Sequence, residues 1–262
     1  EEMNARVRER LVLENRVKKA YQEDGFYNQY QPIVNAKTGK TVGVELLLRC
    51  SLSDPPLYPS EFIPVLEELR YIIDVTRMAM KRAISDLRDW YADGFDGYVA
   101  INLSALHFKT DFDVDGVVDM LEKAGLPSKA LRFELTEGIL MDDAEGALRQ
   151  VNRFIEAGFV LALDDFGTGY SSLSYLKKFP LQVLKIDKSF VDDIQMESDG
   201  DTLVVATINM ATSLNMGCVA EGVENREQVE YLLDQGCVLH QGYYYSRPVD
   251  AVMIPSLLMR QW

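Results

Sequence analysis

Twelve polar residues stand at or just beyond the ends of short apolar runs. One run carries Glu45 and then Arg49, and the next ends in Asn102. Glu134 follows, with Glu137 just beyond it, then Asp164 and Asp165, then Lys185 and Asp187. Glu221, with Glu224 beyond it, and Gln241 complete the series. One polar residue in such a place is ordinarily solvated or caps a helix. Seven successive runs ending this way are harder to assign to solvation. If the run ends meet in space, the carboxylates repel and raise one another's pKa. Divalent cations resolve that conflict, and an all-oxygen set of Glu, Asp and Asn suits Mg²⁺ or Mn²⁺. The adjacent Asp164 and Asp165 can serve two ions, one of them bridging. Two such ions suit in-line phosphoryl chemistry, because they polarise the phosphate, lower the pKa of a water and hold the leaving oxygen. Lys185 is the only cation of the set besides Arg49. Positioning the water, deprotonating it and neutralising developing charge are all open roles for it.

The elements that must position these groups are legible from periodicity. β-rich runs occupy 28–34, 41–48, 98–103, 131–135, 159–164, 182–187, 217–221 and 238–242. Helix-length stretches lie between most of them, at 60–69, 73–91, 114–124, 143–157, 171–178, 202–214 and 226–235. Gly125, Gly158, Gly217 and Gly236 sit where helix C-caps are expected. Eight short strands alternating with helices predict an α/β fold of the (β/α)₈ barrel type, in which chemistry gathers at the C-terminal strand ends. An open doubly wound sheet is the rival architecture.

Composition narrows the classes. The 262 residues correspond to one or two domains, and barrels often reach this size as one. With 47% apolar and 26% charged residues, the chain is not disordered, collagenous or a coiled coil. Its net charge of −14 opposes binding to DNA or to anionic lipid, unless bound cations reverse the local field. Three cysteines, Cys50, Cys218 and Cys237, make neither a disulfide framework nor a zinc ribbon, and fit a reducing cytoplasm. Only two histidines, His107 and His240, are present, so a metal must be held mainly by oxygen. No run reaches the roughly 18 apolar residues of a membrane span, and no signal peptide is evident. Residues 1–24 read as a charged amphipathic helix with apolar Val7, Leu11, Leu13 and Val17. Such a helix is expected either as a link from an upstream sensory or membrane-bound part, or as the barrel's first outer helix.

Several patterns are decoys. The stretch 167–172 nearly matches the dinucleotide fingerprint, but Ser172 replaces the last glycine and two aspartates precede it. A glycine-rich loop at the barrel mouth is the better reading. Asn102-Leu103-Ser104 is a formal glycosylation sequon, but Asn102 is better read as an oxygen ligand. Isolated His107 and His240 read as structural, and Tyr243, Tyr244 and Tyr245 as rim packing. No nucleophile elbow and no Cys/His pair is evident.

Nine ordered pieces of the chain resemble the EAL-domain phosphodiesterases, which hydrolyse cyclic di-GMP to linear pGpG. The pieces are YQPIV (30–34), VELLLR (44–49), FIP (62–64), INLS (101–104), FELTE (133–137), DDFGTGYSSL (164–173), LKID (184–187), AEGVE (220–224) and QGYYYSRP (241–248). The resemblance implies a modified (β/α)₈ barrel, first strand antiparallel, over residues 25–262, with residues 1–24 as a leading helix or linker. It implies two divalent cations, Mg²⁺ or Mn²⁺, on the residues matching Glu45, Asn102, Glu134, Asp164, Asp165 and Glu221. Lys185 matches a residue that helps activate water, and Glu45 and Glu137 share the catalytic set. Glu137 matches the residue that holds the loop containing Gly167, Thr168 and Gly169, which is expected to take part in a homodimer. Gln31, Arg49, Asp187 and Gln241 match positions near substrate or ordered water, with Glu224 behind the ligands. The name-giving tripeptide reads Glu45-Leu46-Leu47 here, Cys50 stands where Trp is common, and 51–58 lacks the usual His-Pro and Gly pattern. The implied activity is hydrolysis of one phosphodiester of cyclic di-GMP by in-line attack of a metal-activated water. A receptor that binds without cutting is the alternative.

Overall fold

The computed structural model describes residues 2–51, 56–110, 112–166, 176–194 and 202–262. Only residues 36–39 separate strands β1 (Phe26–Asn35) and β2 (Lys40–Cys50), too few for a crossover, so the two run antiparallel. Asn35 closes that turn by accepting the Lys37 and Thr38 N–H groups at 3.1 Å, and Gly39 supplies a φ of +66°. Helices α2 (Pro59–Glu68) and α3 (Ile72–Ala92) then carry the chain to β3 (Tyr98–Leu103), which lies parallel to β2. The pattern repeats through β4 (Leu131–Thr136), β5 (Val160–Phe166), β6 (Val183–Ile186), β7 (Gly217–Ala220) and β8 (Leu239–Gln241), each parallel to the last. β8 pairs back onto β1 in antiparallel register. The result is a closed barrel of eight strands, the first antiparallel, and the open-sheet alternative is excluded. A two-residue strand β9 (Val249–Asp250), absent from the sequence reading, adds to β1 at Gln29 and Tyr30.

Period-two alternation divides each strand between two cores. Outward side chains such as Val99, Ile101, Phe133, Leu161, Leu163 and Leu184 pack under the helices. Inside the barrel, Ile33, Tyr98, Ala100, Ala162, Val183 and Val219 form a smaller apolar floor. The Arg132 guanidinium stacks 3.5 Å from the Tyr98 ring centroid, and Gly43 leaves room for that ring, since a Cβ there would lie 2.5 Å from it. One step further along each strand, the inward residues become Glu45, Glu134, Asp164, Lys185 and Glu221.

Helix limits follow local chemistry. α5 (Val114–Ala124) starts where Asp113 accepts the Gly116 N–H at 3.0 Å and stops at Gly125, φ +72°. Gly158 and Gly236 also adopt positive φ after their helices. Gly217 does not: it opens β7, and Asn215 takes the left-handed position after α9 (Thr202–Ser213) instead. Short helices α4 (Ala105–Lys109), α6 (Glu137–Asp142), α8 (Lys188–Asp192) and α11 (Ile254–Leu258) were not legible, being too short to show a period. α7 (Ala144–Glu156) and α10 (Arg226–Asp234) match their expected spans closely. Of the expected 171–178 helix, residues 171–175 lie outside those described.

Helix α1 (Glu2–Gln22) buries Val17 and Ala20 against Phe26, Phe62, Val65 and Val75. Val7 and Leu11, expected on its apolar face, are more than half exposed. None of the described helices is long and apolar enough to cross a membrane.

Candidate active site

Closure of the barrel brings the strand-end groups together at one mouth. At its centre stands Lys185 on β6, 1% exposed. Its Nζ lies 2.5 Å from Glu134, 2.6 Å from Glu221, 3.2 Å from Asp164 and 3.8 Å from Glu45. Four carboxylates thus surround one ammonium, a formal surplus of three negative charges. Burial and the neighbouring carboxylates push Glu134 well above the ordinary carboxyl range, against the pull of Lys185. Burial likewise raises Glu221, to about 8. Burial opposes charge on Lys185, but its four carboxylates outweigh that and hold it protonated well above the usual lysine range. Among the described residues no three acidic, imidazole or thiol groups form a ready-made metal cage. The acidic groups converge on the ammonium instead.

Glu45 is fixed from two sides. Asn102 donates Nδ2 to its Oε1 at 2.7 Å, and Gln241 donates Nε2 to its Oε2 at 2.6 Å. The same Gln241 nitrogen lies 3.1 Å from Gln31 Oε1, and Gln31 in turn donates to the Ser246 carbonyl at 3.0 Å. Antiparallel pairing makes this possible, because it sets Gln31 directly opposite Glu45. Gln241 Oε1 is buried without a hydrogen-bond partner among the described residues.

A cavity of about 270 Å³ opens over this cluster, lined by Gln31, Glu45, Asp164, Lys185, Glu221 and Gln241, with Lys188, Gly222, Glu224, Gly242 and Tyr243 on its other walls. A second, apolar cavity of about 440 Å³ lies between Leu46, Leu48, Ile63, Ile101 and Ile139. Arg49 and Asn102 line this second cavity, and Arg49 donates Nε to Gln29 at 2.9 Å and Nη1 to the Leu48 carbonyl at 3.0 Å.

Other expected residues lie away from the Lys185 cluster. Asp187 caps α8, accepting the Ser189 N–H at 2.9 Å, and does not line either cavity. Glu224 is exposed and paired with Lys188 at 2.7 Å. Glu137 opens α6 with Oε2 buried and no partner among the described residues. Asp165 lies on β5, its side chain outside the description, and Gly167, Thr168 and Gly169 lie outside the described residues altogether. His107 closes the α4 cap by accepting the Ser104 N–H at 3.1 Å, and His240 bonds Tyr245 and the Cys237 carbonyl. Both are therefore structural. Tyr245 is buried, whereas Tyr243 and Tyr244 are exposed, and Tyr243 reaches the site. Lys188 and Gly222 were missed; the adjacency of Lys188 to Asp187 and of Gly222 to Glu221 was the available signal.

Three likenesses bear on identity. The chain is 38% identical over 253 residues to signaling protein YkoW of Bacillus subtilis, covering 96% of this chain and 32% of that protein. It is 37% identical over 251 residues to MucR of Pseudomonas aeruginosa, named a bifunctional diguanylate cyclase/cyclic di-GMP phosphodiesterase, covering 95% and 37% respectively. The structure described as the PaMucR phosphodiesterase in complex with c-di-GMP superposes with a TM-score of 0.86 at 35% identity, covering 92% of this chain and 99% of that one. The chain spans about a third of the length of the curated relatives it matches. With the EAL domain profile matching residues 14–248 and the polar strand ends converging as described, the chain belongs to the EAL domain family.

Proposed function

We propose that this chain hydrolyses cyclic di-GMP to linear pGpG, cutting one phosphodiester with the help of two divalent cations, Mg²⁺ or Mn²⁺. The observation that carries the reading is the convergence of Glu45, Glu134, Asp164 and Glu221 on one buried ammonium. The donor set fits such ions: it is all oxygen, and its negative surplus exceeds what Lys185 can balance. Glu45, Asn102, Glu134, Asp164, Asp165 and Glu221 would hold them. When bound, the ions polarise the phosphoryl oxygens, lower the pKa of a water and stabilise the leaving oxygen.

The chain's own groups supply the rest. Three carboxylate oxygens within 3.2 Å of Lys185 Nζ match the three N–H donors of an ammonium, which has no lone pair to accept a proton. Lys185 accordingly serves as a fixed cation that keeps the carboxylates converged and stabilises charge growing on the phosphate. Asn102 and Gln241 hold Glu45, Gln31 braces Gln241, and Gln241 Oε1 offers a buried acceptor to a water or substrate hydroxyl. The apolar cavity suits a flat base, with Arg49 at its edge for polar or anionic atoms. Glu137 is assigned to the loop at 167–169, through which a homodimer is proposed, and residues 1–24 to a connection with further domains. Cytoplasmic location belongs to the same proposal.

The test is incubation of the purified chain with cyclic di-GMP, with Mg²⁺ or Mn²⁺ and separately with chelator, following pGpG by chromatography. Metal-dependent pGpG is expected. Binding without product would make the domain a receptor, and neither binding nor product would refute the reading.

A further inference from the structure

Gly222 directly follows Glu221 at φ +67°, and the space above it is filled by another residue. A Cβ built there would lie 2.3 Å from Lys188 Cγ, 2.6 Å from its Cβ and 2.7 Å from its Cδ. The Lys188 stem therefore lies where a side chain at 222 would stand. Its far end is pinned, with Nζ 2.8 Å from Asp192 and 2.7 Å from Glu224. The clasp joins the start of α8 to the loop after β7.

That loop is anchored on both sides of Gly222. The Glu221 N–H donates to the Ile186 carbonyl at 3.0 Å, and the Val223 N–H to the Gln241 carbonyl at 3.0 Å. Between the anchors lies one glycine, the residue with the widest backbone freedom. A concerted shift of the backbone between these anchors would carry the Glu221 Cα, and with it the carboxylate that now stands 2.6 Å from Lys185. We propose that Lys188 is a positioning residue for Glu221: its stem across Gly222, pinned by Glu224 and Asp192, sets where that carboxylate stands. The inference rests on the reading of Glu221 as a metal ligand and assigns Glu224 a task, as the far anchor of the clasp.

Both ion pairs of Lys188 are about half exposed, so they add little to global stability. This separates positioning from folding in the experiment. Mn²⁺ is titrated into the full chain without substrate, by calorimetry and by the electron paramagnetic resonance of free Mn²⁺. Lys188→Met, which keeps the stem but loses the clasp, is expected to weaken Mn²⁺ binding about tenfold. Lys188→Arg should recover most of the loss. Melting temperature and the KM for cyclic di-GMP at saturating Mn²⁺ should be unchanged in both. Gly222→Ala, which displaces the stem, should weaken Mn²⁺ binding at least as much. Unchanged Mn²⁺ affinity in Lys188→Met overturns the inference. A raised KM at unchanged Mn²⁺ affinity also overturns it, making Lys188 a substrate contact. If the wild-type chain binds no Mn²⁺, the metal-ligand reading itself falls, and this inference with it.

Discussion

Lys185→Met removes the ammonium at the centre of the site and keeps most of the side-chain volume. The wild-type cluster places four carboxylates within 3.8 Å of that charge, three of them within 3.2 Å. Without it, at least one more carboxyl must be neutralised by a proton at neutral pH. Holding a carboxyl of ordinary pKa 4.5 neutral at pH 7 costs about 3.4 kcal/mol, at about 1.36 kcal/mol per pH unit. That agrees with the roughly 3–5 kcal/mol lost when a buried ion pair is deprived of one partner. The variant should therefore unfold about 3 kcal/mol more easily in urea with chelator present. With Mg²⁺ or Mn²⁺ the deficit should shrink, because the cations replace the missing charge. Turnover should nonetheless fall by about a hundredfold or more, as expected when a fixed charge that stabilises the transition state is lost. Two results would refute the reasoning. One is a loss of stability under about 1 kcal/mol in chelator, meaning that the carboxylates do not depend on the ammonium. The other is a fall in turnover of less than about tenfold, roughly 1.4 kcal/mol, meaning that Lys185 is not used in the reaction.

Other expectations follow from single contacts. A methyl at Gly242 would lie 2.1 Å from the Val223 carbonyl oxygen and 2.3 Å from its nitrogen, so Gly242→Ala must part β8 from the loop after β7. This should cost about 1–3 kcal/mol in urea unfolding and, by moving Gln241 off Glu45, lower turnover at least about tenfold; wild-type values of both would contradict the packing. Burial holds His107 and His240 neutral, with pKa lowered to about 4. Because unfolding restores the ordinary pKa of 6.5, their contribution is complete above that pH and is lost as pH falls toward 4. Each should cost about 2 kcal/mol between pH 7.5 and pH 5. An imidazole of His240 titrating near pH 6.5 by NMR would count against this.

Much of this molecule was legible in its amino-acid order. Strand positions and the bounds of α5 follow from alternation and from punctuation by Asp113 and Gly125, which are local properties. The candidate ligands were visible because each strand changes from apolar to polar at its C-terminal end, and a barrel leaves one face where such ends meet. What tertiary structure decided is which groups touch. Glu45 and Glu221 are far apart in sequence, and only barrel closure brings both to the Lys185 ammonium. The strand-end pattern singled out Lys185 but not its place beneath four carboxylates, and it gave no sign that Lys188 is half exposed and clasped over Gly222. Asp187 reads in the sequence only as a strand-end carboxylate, and its part as the cap of α8 appears once that helix has formed. Asn215 rather than Gly217 took the left-handed turn, because Gly217 was needed to begin β7. Periodicity and capping act over a few residues and can be read along the chain, whereas the charge balance and aim of each side chain depend on partners that only the closed barrel supplies.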